Sequence, residues 1–175
     1  MSKQQPFHFD LVLFTAGSAR VNDAVSVYAS VYRKDIDQSR QALTDAAARD
    51  GFVGRLALID GEAVAMGYGA ASKVGHWWYD TVAKALGPDH SALQSAWNLM
   101  ELGVLPSFRR RGLATALLED LLTSQPYPRA LLSVIVHNTA ARTLYENRGW
   151  RYLHPDLQFA GTGDRRYAIM GRELR

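Results

Sequence analysis

The chain of 175 residues contains no cysteine. That excludes a disulfide scaffold, a thiolate nucleophile and a cysteine-ligated zinc site. It agrees with a reducing cytosol without requiring one. No run of about 18 apolar residues exists, so no membrane span is expected. The opening "MSKQQPFHFDLVLF" lacks a long apolar stretch followed by a small-residue cleavage site and reads as no secretory signal. Neither sign of charge dominates. Lys and Arg number 20 against 17 Asp and Glu, giving a net charge of +3. That is too weak to imply nucleic acid without a clustered basic face, and it suits a small anionic ligand. Internal repeats and low-complexity tracts are also missing. The expectation is a cytoplasmic protein with neither nucleic acid nor a membrane as partner.

Apolar residues make up 47% of the chain, an ordinary globular share. The length suits one domain over residues 1–175 with one core. "HFDLVLFTA" is short and apolar and reads as a strand. Asn22 or Asp23 is positioned to cap a helix through "AVSVYASVYRK", with Ala24, Tyr28 and Val31 at helical spacing. "DQSRQALTDAAARD" reads as a second helix, started near Asp37 or Ser39 and stopped by Gly51. Asp60-Gly61 joins two apolar runs into a hairpin. In its second strand, Gly67 and Gly69 mark a bulge or a close approach.

An inserted helical segment at about 73–98 follows. Its middle, Trp77 to Leu86, has helical periodicity, and Gly87-Pro88 ends it. Asp89 or Ser91 starts a short helical piece through Trp97. Then come a strand, "NLMELGVL", and a helix from about Arg110 to Thr123. "ALLSVIV" reads as a buried strand. Asn138 caps a helix followed by Gly149. "WRYLHP" and "RRYAIMGREL" are the last strands. This order implies an α/β (α+β) domain with helices on both faces of a mixed sheet.

The stretch "GVLPSFRRRGLATALLEDLL" carries the strongest chemical signal. A helix leaves its first N–H groups without internal partners, and its dipole adds positive charge there. If the preceding loop curls, its amides converge into a nest suited to a pyrophosphate. Gly112 and Ala114 are small enough to let a phosphate reach the backbone. A solvated helix start explains "RRRG" as well, although three cations at a helix N-terminus are unfavourable for stability. No Gly-Lys-Ser/Thr ends the turn, so a Walker loop is excluded.

"VLPSFRRRGLATALLEDLL" resembles the acetyl-CoA-binding motif of the GNAT acyltransferase superfamily, Val-x-Pro followed by Arg/Gln-x-x-Gly-x-Gly/Ala. Val104, Pro106, Arg109, Gly112 and Ala114 match it. Downstream, "NTAARTLYENRGW" resembles the family's second signature through Asn138, Leu144, Tyr145 and Gly149, with Trp150 in place of Phe. The resemblance implies a splayed mixed sheet of about six or seven strands, with acetyl-CoA as donor cosubstrate. Two parallel strands, "LMELGVL" and "LLSVIV", would part for the pantetheine arm. The backbone of Leu102, Gly103 and Val104 would pair with that arm as an added strand would. The amides of Arg109, Arg110, Arg111, Gly112, Leu113 and Ala114 would hold the pyrophosphate. Thr115 adds a hydroxyl, and Asn138 bonds the pantetheine or caps its own helix.

Acetyl transfer to an amine needs a base, an oxyanion donor and a proton for the departing thiolate. By resemblance Tyr145 is the general acid; spacing alone would make it a core residue. Glu101, on the strand entering the motif, is the candidate base, or else a solvent-facing or arginine-paired carboxylate. Some relatives use a glutamate on the next strand, where this chain has Ser133. His137 and His76 are weaker candidates. Trp77, Trp78 and Asp80, with Tyr79, could form an aromatic wall and a carboxylate for a cationic acceptor. An amphipathic helix that buries its tryptophans on the sheet accounts for them too.

The implied activity is N-acetylation of a primary amine of a small-molecule acceptor. The alternative is a non-catalytic acyl-CoA sensor or partner-binding module on the same fold. A homodimer is common in such folds, but no stretch of the sequence marks an interface. A metal site is not expected.

Overall fold

The computed structural model describes residues 8–175. Residues 1–7 of the stretch read for a secretory signal lie outside the described residues. The chain divides into two compact units. The first comprises Met1–Gly69 and Glu101–Ser124, the second Ala70–Met100 and Gln125–Arg175.

In the first unit, β1 (Asp10–Phe14), β2 (Val53–Ile59) and the first part of β3 (Glu62–Ala71) form an antiparallel ladder. Asp60 (φ 51°) and Gly61 (φ 83°) both take left-handed backbone at the β2–β3 turn, the geometry a two-residue hairpin prefers. The ladder slips between Ala57 and Leu58, which face Ala65 and Ala63. Val64 is therefore the extra residue, and its carbonyl accepts from Leu105 N at 2.9 Å. Gly67 is not a bulge: a Cβ there would lie 2.8 Å from Leu121 Cδ1 and 3.0 Å from Leu102 Cδ1.

This unit also holds α1 (Val21–Tyr32), α2 (Ile36–Ala47) and α4 (Leu113–Thr123). Helix α1 starts before Asn22 and has no side-chain cap. Asp23 instead bonds Arg20 at 2.9 Å in its first turn. It ends at Tyr32, because Arg33 turns left-handed (φ 51°). The α2 cap is Asp35 rather than Asp37 or Ser39, and its carboxylate accepts from the amides of Asp37 and Gln38. Helix α4 begins three residues later than expected, at Leu113. Leu113 and Leu117 pack on Ala57, Val64 and Ala65.

The second unit contains the end of β3, α3 (Trp77–Leu86), the start of β4 (Ala96–Val104), β5 (Arg129–Ile135), α5 (Thr139–Glu146), β6 (Arg151–Gln158) and β7 (Arg166–Glu173). Helix α3 has the expected bounds, with Gly87 (φ 95°) after it. The helical piece expected through Trp97 is shorter. One 3-10 turn covers Ser91–Leu93, and Trp97 lies in β4, fully buried. Strand β7 pairs antiparallel with β5 and with β6. Strand β6 is irregular around Pro155, where a residue without N–H is tolerated at an edge. Val82, Ala83, Leu93, Ala96, Leu131, Phe159 and Ile169 form a core cluster of this unit. Among the described residues, seven strands follow the order β1-β2-β3-β4-β5-β7-β6, a mixed sheet as expected.

Candidate active site

In the first unit, the turn from β4 into α4 explains why the helix starts late. Arg110 (φ 63°) and Gly112 (φ 82°) both adopt left-handed backbone. A glycine meets that requirement at Gly112 without the clash a Cβ brings. The space its missing Cβ would enter is open, with no atom within 4 Å. Behind it stands the N-terminus of an 11-residue helix with no side chain capping it. A curled loop with small, open backbone at a helix N-terminus fits a pyrophosphate.

The arginine side chains brace the same turn. Arg109 Nε donates to Val104 O at 3.1 Å, and Arg111 Nη2 donates to Ser107 O at 3.2 Å. The Arg111 guanidinium also lies 5.4 Å from the centre of the Phe108 ring. Leu102 O accepts from the Tyr32 hydroxyl at 3.3 Å. Gly103 is needed for contact rather than for its φ, because α1 packs against it through Val31. Leu113 is buried, while Ala114 and Thr115 are partly buried in the first turn of α4.

Glu101 sits at the start of this unit's share of β4 and is partly buried. Its Oε1 accepts from the Tyr28 hydroxyl at 3.5 Å, and Lys34 Nζ donates to that hydroxyl at 3.1 Å. Tyr28 and Tyr32 lie one helical turn apart with ring centroids at 4.9 Å and planes tilted by 55°, and the Tyr68 ring lies 6.4 Å from that of Tyr28. Burial raises the Glu101 carboxyl above the ordinary carboxylate range, against smaller opposing effects of Tyr32, Lys34 and Tyr28. Burial, then the Glu101 charge, also raises the Tyr28 and Tyr68 hydroxyls. A carboxyl raised in this way is a stronger proton acceptor than an ordinary carboxylate. Tyr32, Tyr68 and Lys34 carried no signal in the sequence that tied them to Glu101. Tyr28 and Tyr32 are one helical turn apart in the sequence, a spacing that core packing explains adequately.

In the second unit, Trp78 is held on β5, where its Nε1 donates to Ser133 Oγ at 3.1 Å. Ser133 stands where the resemblance implies a glutamate in some relatives. Trp77 is 55% exposed, with its ring 5.2 Å from that of Phe159. The Asp80 carboxylate accepts from Gly75 N at 2.9 Å and fastens the loop before α3. Tyr79 packs on the core beneath α3, and His76 precedes that helix. Within this unit, the parallel β4–β5 ladder covers Ala96–Asn98 and Arg129–Leu131, while β5 continues against β7 to Ile135.

Asn138 caps α5, its Oδ1 accepting from Ala141 N at 3.1 Å. Tyr145 on α5 is buried, and its ring meets Trp150 edge-on at 5.7 Å. Trp150 fills the place expected for Phe and adds a buried Nε1 with no hydrogen-bond partner. His137 is exposed in the turn before α5. No group of metal ligands occurs among the described residues, and no described helix is long and apolar enough to cross a membrane.

Residues 21–150 match the acetyltransferase (GNAT) family. No curated protein matches the chain by sequence. Solved structures match its fold at low identity. An acetyltransferase from Thermus thermophilus is 14% identical, with a TM-score of 0.68 over 98% of this chain and 100% of its own. A GNAT-family acetyltransferase from Streptococcus pneumoniae is 14% identical, with a TM-score of 0.66 over 95% and 100%. The ribosomal-protein-S18-alanine N-acetyltransferase of Escherichia coli is 16% identical, with a TM-score of 0.64 over 95% and 94%.

Proposed function

We propose, from the premise that the chain belongs to the acetyltransferase (GNAT) family and has acetyl-CoA as its acyl donor, that it acetylates a primary amine of a small molecule. The observation that carries this reading is Glu101, a partly buried carboxylate bonded to Tyr28 and raised by its surroundings. A carboxylate so enclosed suits an acceptor amine on a slender molecule better than one on a folded protein surface.

Acetyl-CoA supplies the acetyl group as a thioester. For its pyrophosphate this chain offers the amides of Arg110 to Ala114, with the Thr115 hydroxyl beside them; the Arg109 amide, expected to join them, already donates to Pro106 O at 3.4 Å. The open face of Gly112 and the uncapped start of α4 support that assignment. The backbone of Leu102, Gly103 and Val104 is proposed to hold the pantetheine arm, with Asn138 as a further contact. Glu101 takes the proton of the acceptor ammonium, so that the amine becomes a nucleophile. The Tyr145 hydroxyl is the proton donor, a role resting on its place in the second signature. Trp77, Trp78 and Asp80 are proposed to border the acceptor, although Trp78 and Asp80 already have partners within their own unit.

The test is thiol release from acetyl-CoA across a panel of polyamines, amino sugars, amino acids and an alanine-terminated peptide. Turnover with a small amine and not with the peptide supports the proposal. Turnover with the peptide alone assigns a polypeptide acceptor. Failure to bind any acyl-CoA at micromolar concentration overturns it.

A further inference from the structure

We propose that Lys34 is a positioning residue that keeps Glu101 ionised and oriented by acting through Tyr28. The inference rests on the reading of Glu101 as the base.

Lys34 follows α1 directly. The left-handed Arg33 reverses the chain, and Lys34 N donates to Ala29 O at 3.0 Å. The lysine side chain is thereby returned over the last turns of α1, where its Nζ lies 5.1 Å from the Tyr28 ring centre and bonds the Tyr28 hydroxyl. A phenol has one hydrogen. With an ammonium donating to its oxygen, that hydrogen is free to point the other way, at Glu101 Oε1. The chain from Lys34 to Tyr28 to Glu101 therefore has a single polarity, from cation through phenol to carboxylate. Aligned hydrogen bonds of this kind strengthen one another in a low-dielectric setting.

Other described groups also face this carboxylate. Tyr32 comes from α1 and Tyr68 from β3, and Arg49 beyond α2 acts on Tyr68. Lys34 is a cation that acts on Glu101, opposing the burial that pushes the carboxyl up. Its own side chain is exposed, so the influence reaches a partly buried group from the surface. Salt must therefore weaken it.

The experiment is a carbon-13 titration of the glutamate carboxyls in the full chain, with Glu101→Gln assigning the signal. It requires no acceptor. In Lys34→Met the midpoint should rise by roughly half a pH unit or more, and Lys34→Arg should restore it. Tyr28→Phe should raise it too, and Lys34→Met should add little in that background. Raising salt should move the parent midpoint up and leave that of Lys34→Met in place. If Lys34→Met folds poorly, Lys34→Gln removes the charge and decides instead. A midpoint unmoved by removing the charge overturns the inference, whatever happens to the melting temperature. If Glu101→Gln keeps full acetylation, the assignment of the base fails separately, and the titration still decides the role of Lys34.

Discussion

Val31 of α1 and Gly103 of β4 touch so closely that a Cβ on Gly103 would lie 2.8 Å from Val31 Cγ1. The helix that carries Tyr28 and Tyr32 is thus seated on the backbone next to Glu101. Gly103→Ala should push α1 away and lower stability by about 1–3 kcal/mol in urea unfolding. Trimming the neighbour, in Gly103→Ala with Val31→Ala, should recover part of the loss. An unchanged unfolding midpoint in the single variant would show that α1 yields freely.

Gly112 has a different reason to be glycine. Its φ of 82° is strained for any L side chain, although the space around it is open. Gly112→Ala should lower stability by about 1 kcal/mol. It should weaken acetyl-CoA by more than that strain explains, because the methyl enters the open face of the turn. Calorimetric titration should show an affinity loss of about tenfold or greater. Equal affinity in parent and variant would place the pyrophosphate elsewhere.

Glu101→Gln keeps the shape of the side chain and removes its basicity. Once an acceptor is in hand, kcat/KM should fall by about 10²–10⁴ with acetyl-CoA affinity retained. The rising acidic limb of the pH profile should disappear with it. A variant that keeps that limb would move the base to another residue.

The same carboxyl has a signature in stability. Its folded pKa is raised, so the native state holds the proton more tightly than the unfolded chain. The contribution is fully present below the unfolded value of about 4.3 and is lost as pH rises through the higher folded value. Urea unfolding should show stability declining across that window in the parent and a flatter profile in Glu101→Gln. Parallel profiles would mean that the carboxyl is not desolvated.

Tyr145→Phe removes one hydroxyl from a buried ring and leaves the edge-on contact with Trp150 in place. Turnover should drop by about 10²-fold or more while acetyl-CoA binding and melting temperature hold. Normal turnover would make Tyr145 a packing residue.

Local chemistry made several elements legible. Asp60-Gly61 marked a hairpin because the turn needs two left-handed residues, and Asn138 marked a helix start because its side chain can reach the third amide on. The periodicity of Trp77 to Leu86 gave α3 its bounds. Helix α4 starts later than the sequence pattern predicts because arginine is a good helix former, and no single residue before Gly112 announces that the chain turns left-handed at Arg110. The site was legible to a similar depth. Glu101 could be singled out from its strand, but its setting could not. Tyr28 stands 73 positions away, and its approach depends on Val31 fitting against Gly103. Such a contact belongs to tertiary packing and leaves no local pattern.

The guanidinium groups of Arg109 and Arg111 are already bonded to the carbonyls of Val104 and Ser107. Each bond closes a small ring of chain around the turn. Such rings reduce the conformational entropy of the loop before any ligand arrives, and binding then has less disorder to remove. If the turn holds the pyrophosphate as proposed, arginine there should contribute to affinity through rigidity as well as charge. Lysine substitutions at Arg109 and Arg111 would separate the two, because they keep the charge and lose the planar, multiply donating group that closes the rings.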